Sequence, residues 1–255
     1  MRTLWVTPMA LLVACGPSGK GASPDAGNIP VMNGNDAGDG RGGSGGGDGS
    51  AFDLGAEAAA DASGAPTAAQ LLALVQTCRS IASTHAYATD QGAAENIDIC
   101  ALNGAVYWKA DMDIDCDGKD VGDGKCPGDD CCYQPQTAFT SKGGYLAASV
   151  TPYVVIPTDF RPSGLAGGGV VAVIYGGKLQ YAVFGDTGPS NIIGEASYAC
   201  AAALGIDPDP ATGGTDGPVT YIAFLGSGAI PADIEDQAAT RTLGESLAAE
   251  LLRAN

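Results

Sequence analysis

The sequence predicts a β-rich α+β fold, a single domain with peripheral helices, and three observations carry that expectation. Short runs of β-branched and aromatic residues recur through the second half of the chain. Two of them are joined by Gly176-Gly177, and the last apolar run, near the C-terminus, has helical spacing. Residues 16–65 hold too few apolar side chains to build a core, so the fold begins near Pro66. Residues 66–255 suffice for one domain that buries most of its apolar surface.

Taken in order, Met1-Arg2 supplies positive charge and residues 4–14 form an apolar run too short to span a bilayer. Residues 1–15 therefore read as a signal peptide. Leu12-Val13-Ala14-Cys15 resembles the bacterial lipobox, which implies cleavage before Cys15, lipid attachment there and firm anchoring to a membrane. The alternative is an ordinary secretory signal with a chance cysteine. Residues 16–65, rich in Gly, Ser, Asp and Ala, read as a flexible linker reaching roughly 5–6 Å × √n for n residues.

Residues 68–82 place Leu71, Leu72, Leu74, Val75 and Ile81 at helical spacing. Val106-Tyr107-Trp108 and Tyr153-Val154-Val155-Ile156-Pro157 are strand runs. Residues 170–175 and 178–184, flanking Gly176-Gly177, predict a tight hairpin, because both turn residues tolerate positive φ. Residues 194–204 predict a helix stopped by Gly205, 219–225 a strand, and 232–253 a C-terminal helix carrying Leu243, Leu247, Leu251 and Leu252.

The formal net charge of −17 excludes nucleic acid as a partner, since phosphate binding needs clustered Lys and Arg. The excess survives removal of the linker: after Pro66 there are 22 acidic and 9 basic residues, which suits a cationic partner or simply solubility. Beyond Cys15 the chain has Cys78, Cys100, Cys116, Cys126, Cys131, Cys132 and Cys200, an odd set in an oxidising compartment. Cys116 with Cys126 is the first pairing expected and Cys78 with Cys100 the next; one thiol is left free or paired externally. A zinc site is not expected, with His85 the sole histidine and no pair of Cys-x-x-Cys knuckles.

Three acidic constellations offer chemistry. In the segment from Asp111 to Gly118, Asp113, Asp115, Asp117 and Gly118 match the front half of an EF-hand loop, but Gly124 stands where its bidentate Glu is required. A calcium site of another kind, a solvated turn, or a strand whose alternate carboxylates line a groove for a cationic polymer all remain open. Asp186-Thr187-Gly188 carries the aspartic peptidase signature, yet no second copy exists to share a proton. Glu195 follows nine residues after Asp186, at the start of the predicted helix. Two carboxyls flanking one cleft are what glycosidic hydrolysis requires.

The blocks Asp111 to Gly118, Gln136-Thr137-Ala138-Phe139, Pro152-Tyr153-Val154-Val155, Gly177-Lys178-Leu179-Gln180-Tyr181, Gly185-Asp186-Thr187, Gly194-Glu195-Ala196-Ser197 and Tyr221-Ile222-Ala223-Phe224 resemble, in order, those of fungal-type chitosanases, glycoside hydrolase family 75. The resemblance implies endo-hydrolysis of β-1,4-linked glucosamine chains with inversion, no cofactor, a double-psi type β-barrel core, and Asp186 and Glu195 as the catalytic pair. Cys131-Cys132 and a C-terminal helix after Leu225 depart from the expected pattern. A helix N-terminus at Glu195 would favour its ionised form, making it the base and Asp186 the acid. Asp111, Asp113, Asp115 and Asp117 are then candidates for holding ammonium groups, and Tyr107 and Trp108 for stacking on sugar faces, with core packing the alternative. No metal is expected. The resulting picture is an exported monomer, anchored at Cys15 in the cell envelope or released outside it, acting on chitosan. The rival class is a non-catalytic surface lipoprotein that binds an amino-sugar polymer or calcium.

Overall fold

The computed structural model describes residues 64–81, 85–126, 133–160, 162 and 164–255. The signal peptide, Cys15, nearly all of the expected linker and Cys131-Cys132 lie outside the described residues.

Thr67 opens α1 (Ala68–Leu74) with a reciprocal capping box: its hydroxyl accepts the Gln70 N–H, and the Gln70 side chain accepts the Thr67 N–H at 2.9 Å. The helix ends at Leu74, well short of residue 82. The Cys78–Cys100 disulfide, with backbone bonds from Ile81 N–H to Ile99 and from Ala101 N–H to Arg79, draws residues 79–81 out alongside β1 (Cys100–Leu102). The chain turns at Gly104, φ 94°, into β2 (Ala105–Asp115), an 11-residue strand far longer than the run at 106–108. A short hairpin, β3 (Thr140–Ser141) and β4 (Gly144–Tyr145), precedes β5 (Tyr153–Pro157), which matches its expected span.

The glycine-joined hairpin forms as expected. β6 (Val170–Tyr175) pairs with β7 (Lys178–Gly188), and Gly176 and Gly177 take φ of 54° and 78°, as a type I′ turn demands. The helix expected from residue 194 starts later: β8 (Glu195–Ser197) comes first, and Ser197 then caps α2 (Tyr198–Leu204) by accepting the Cys200 N–H. β9 (Thr215–Phe224) and α3 (Gln237–Ala254), capped by Asp236, complete the chain. Cys116 and Cys126 form the second disulfide, and the buried Cys200 is the free thiol among the described residues.

The strands run in the order β2-β8-β5-β7-β6-β9, and β9 pairs back with β2, closing a six-stranded barrel. β2–β8 and β5–β7 are parallel, and the remaining pairs antiparallel. Alternation along β2 divides its side chains. Val106, Trp108, Ala110 and Met112 enter the barrel core with Val154, Val171, Val173, Phe184 and Tyr221. Ala105 and Tyr107 face outward into a second cluster formed with Leu71 of α1 and Leu251 of α3. Inside, Trp108 stacks on Tyr221 with ring centroids 5.2 Å apart and meets Phe160 edge-on at 5.5 Å.

Candidate active site

The same alternation decides where the acids go. With Ala110 and Met112 pointing inward, Asp111, Asp113 and Asp115 project from the outside of the barrel. The sheet register extends this row across three more strands: Asp113 lies opposite Glu195, Glu195 opposite Val155, and Val155 opposite Asp186. A bulge sets the last step. Val154 pairs with Phe184 and Val155 with Asp186, so Gly185 is the extra residue. Only glycine fits there, because a Cβ would stand 2.6 Å from Cβ of Tyr153. Asp186 and Glu195 thus flank one intervening strand, about 9.5 Å apart at their backbones by ordinary strand spacing.

The two carboxyls have different surroundings. Asp186 is buried, 6% exposed, and one oxygen, Oδ1, accepts the backbone N–H groups of Ala138 at 2.8 Å and Thr187 at 2.7 Å. Burial raises its pKa to about 6 against the lowering effect of those two donors. Glu195 is half-buried; burial, reinforced by the negative charges of Asp113, Asp117, Asp186 and Asp111, pushes it up to about 8. The premise that a helix N-terminus ionises Glu195 is corrected, since Glu195 lies on β8 and α2 begins at Tyr198.

The four aspartates of β2 and its following loop divide into two groups. Carboxylate oxygens of Asp115, Asp117 and Asp186 lie within 4.8 Å of one another, and those of Asp90, Asp111 and Asp113 form a second such set. Asp115 is buried, and its Oδ1 accepts the Asp117 N–H at 2.6 Å; burial first, then Glu195, raises its pKa well above the carboxylate range. Oδ1 of Asp117 accepts the Gln134 N–H, and the Tyr153 hydroxyl donates to the Asp117 carbonyl. Of the readings left open for this segment, the strand is the one found: Asp113 and Asp115 sit within β2. Gly118 serves a close approach instead, because a Cβ there would stand 2.0 Å from the Leu146 carbonyl oxygen.

Tyr107 and Trp108 are core side chains, 2% and 1% exposed, and present no face to a sugar. Ala105 and Val106 just before them are buried too, under the helices and inside the barrel, which is why the aromatic run is a packing signal. Asp90 and Asp216 add charge beside Asp111 and Asp113, yet neither belongs to a sequence motif. Asp90 arrives through tertiary pairing, the bridge of Ala88 to Ile192 just before β8, for which the local sequence carries no signal.

The sequence profile described as fungal chitosanase of glycosyl hydrolase group 75 matches residues 112–250, more than half of the chain. The chain belongs to this family. Within the chitosanase family it is 36% identical over 145 residues to Endo-chitosanase B of Aspergillus oryzae (strain ATCC 42149 / RIB 40), covering 51% of this chain and 60% of that one. Endo-chitosanase C of Aspergillus oryzae is 35% identical over 133 residues, 49% of this chain and 33% of the relative. Endo-chitosanase of Aspergillus fumigatus is 35% identical over 130 residues, 44% and 54% of the two chains. The chain therefore spans less than two thirds of the length of each of these relatives. The chitosanase profile runs to residue 250, so most of α3 is a family element, correcting its reading as an addition.

Proposed function

We propose that this chain is an exported endo-chitosanase that hydrolyses β-1,4 bonds of polyglucosamine with inversion, using Asp186 and Glu195. Family membership supports the substrate class. The observation that carries the mechanism is the row Asp113, Glu195, Val155, Asp186, which puts one strand between the two carboxyls. Inverting glycosidases hold their carboxyls about 6.5–9.5 Å apart, with a water between, and two strand spacings suit that range better than the roughly 5 Å of retaining enzymes.

The surroundings argue for roles opposite to the sequence expectation. Glu195, held protonated by burial and neighbouring negative charge, donates its proton to the glycosidic oxygen as the bond to the anomeric carbon breaks. Asp186, kept more acidic by two backbone donors, takes a proton from the water that attacks that carbon from the opposite face. The outward acidic face of β2 holds the cationic polymer by charge-assisted hydrogen bonds. A closed six-stranded barrel with two parallel pairs is compatible with the double-psi type. The leader, the lipid at Cys15 and the linker complete the reading, with the domain tethered as a monomer at the cell envelope.

The test is reducing-end release from soluble chitosan, with the product anomer followed by proton NMR. Wild type is expected to release α-configured ends, and Asp186→Asn and Glu195→Gln to lose about 10²- to 10⁴-fold in kcat. Absence of release by wild type sinks the enzyme reading, β-configured products sink inversion, and full activity in either variant sinks the site.

A further inference from the structure

Two N–H groups converge on Oδ1 of Asp186, and they reach it by different routes. The Thr187 N–H belongs to the next residue and follows Asp186 wherever it goes. Ala138 stands 48 residues away in sequence, so its N–H has to be carried to the site. Its side chain is exposed and anchors nothing. The other groups facing Asp186 do not draw it toward the ionised form. Asp115 of β2 and Asp117 of the following loop bring carboxylate oxygens within 4.8 Å of its own, Glu195 of β8 adds negative charge, and β5 contributes the Tyr153 phenol. None of the ion pairs found among the described residues includes Asp186. Its acidity therefore depends on backbone donors, of which Ala138 is the one that can be misplaced.

The residues on either side hold it. Thr137 is buried, 4% exposed. Its hydroxyl accepts the Leu146 N–H at 3.0 Å and donates to the Phe139 carbonyl at 2.8 Å, using both of its polarities. One side chain thus spans Ala138 from the residue before it to the residue after it, and fastens both to the chain leaving β4. Phe139 adds two anchors. Its N–H donates to the carbonyl of Gly185 at 3.3 Å, the bulge residue immediately before Asp186. Its ring meets Phe184 edge-on at 4.9 Å and lies against Gly167, where a Cβ would stand 1.9 Å from Cε1 of the ring. The bulge that sets Asp186 therefore also sets the segment that serves it.

We propose that Thr137 is a positioning residue for the reaction: its hydroxyl holds the Ala138 N–H on Oδ1 of Asp186 and so fixes the orientation of that carboxylate toward the attacking water. The inference rests on the reading of Asp186 as the base and adds to it a buried hydroxyl one residue removed from the donor. With Oδ1 occupied by two amides, Oδ2 is left to take the proton from water, and its direction is set by the bonds on Oδ1. If the Ala138 N–H drifts, the carboxylate gains rotational freedom and loses a donor that favours its ionised form. Both effects act on the chemical step, whereas substrate binding has no contact with Thr137 through which to change.

Thr137→Val keeps the shape of the side chain and deletes the hydroxyl, and Thr137→Ser keeps the hydroxyl. Wild type and both variants are assayed on glucosamine hexamer across the pH range in which Asp186 ionises. For Thr137→Val the expected result is a fall in kcat of about 10- to 100-fold with KM changed by less than about threefold. The acid limb of its kcat/KM profile, which follows ionisation of Asp186 near 6 in wild type, should move upward by roughly half a unit to one unit. Thr137→Ser should restore both the rate and the limb. A loss of stability alone would lower the amount of active enzyme and leave the limb where it was. Gly167→Ala reaches the same segment from the other side, since its methyl displaces the Phe139 ring and removes no hydrogen-bonding group, and its acid limb should rise as well. A folded Thr137→Val enzyme with an unmoved acid limb overturns the proposal, as does Thr137→Ser behaving like Thr137→Val. Should Thr137→Val not fold, an unmoved limb in Gly167→Ala overturns it. In each of these cases wild-type cleavage and an inactive Asp186→Asn leave the enzyme reading intact. No cleavage by wild type overturns the enzyme reading first, and this one with it.

Discussion

At Asp186 two backbone N–H groups converge on a single oxygen, whereas Glu195 meets four aspartates as sources of negative charge. Each contrast acts on one proton. Under the proposed mechanism the base must be ionised and the acid protonated, so the kcat/KM profile should rise through about 6 and fall through about 8, limbs that belong to the coupled pair. Asp113 is the largest of the charges acting on Glu195. Asp113→Asn should therefore move the alkaline limb downward, by roughly half a unit or more for a neighbour of this kind, while leaving the acid limb near its wild-type position. Rates on soluble glucosamine oligomers across pH 5–9 check this, a span set by the two limbs. A profile with no alkaline limb, or an acid limb that moves with Asp113, would contradict the assignment of roles. Spacing alone finds the two residues nine apart, but their roles depend on charges brought in by β2 and on amides brought in by residue 138. A single stretch of sequence shows neither.

Among the elements, those whose signals are local are legible and those shaped by long-range contacts are not. The β6–β7 hairpin is written in two glycines between strand runs, and β5 ends at its proline. By contrast, α1 has helical periodicity through residue 82, but the Cys78–Cys100 bridge and the pairing of residues 79–81 override it after Leu74. β8 hides inside a helix pattern because its three residues, all paired to β2 and two of them also to β5, leave no alternation long enough to read. The acidic half of β2 is hard to read for another reason: its charged side chains all face one way, and the inward partners Ala110 and Met112 carry the strand signal alone. Contact between elements also yields a prediction at α3. Gly244 is buried in this helix, where glycine costs about 1 kcal/mol relative to alanine. A Cβ there would stand 2.3 Å from Cδ1 of Tyr181, a ring fixed on β7. Overpacking of this kind costs about 1–3 kcal/mol, which exceeds the gain in helix propensity. Gly244→Ala should accordingly lower Tm by roughly 2–6 °C while leaving kcat within about twofold, since α3 lies outside the proposed catalytic row. An unchanged or raised Tm would show that α3 can slide away from β7.

For the whole molecule, the acidic face couples function to stability through the protons it holds. Asp111 and Glu195 are pushed up to about 8, Asp113 and Asp186 to about 6, and Asp115 well above the carboxylate range, burial being the largest cause in each. In the unfolded chain the same groups titrate near 4. Between about pH 4 and pH 8 the folded state therefore binds more protons than the unfolded state. Stability must fall as pH rises through that window, the reverse of ordinary acid denaturation. Asp123 and Asp209 oppose the trend, because backbone N–H groups lower their pKa values, but both are solvent-screened. The chain's net charge of −17 adds self-repulsion in the same direction as the buried acids. Tm should consequently drop by roughly 5 °C or more between pH 5 and pH 8, a shift on the order of 2 kcal/mol for a domain of this size. Salt separates the two contributions. At about 1 M, where the screening length is about 3 Å, the repulsive share should be recovered and the desolvation share should persist. Scanning calorimetry across pH at two salt concentrations measures both. A Tm that climbs from pH 5 to pH 8 at low salt would mean that the carboxyls are ionised and well served in the folded state, and would remove the basis for Glu195 as the proton donor.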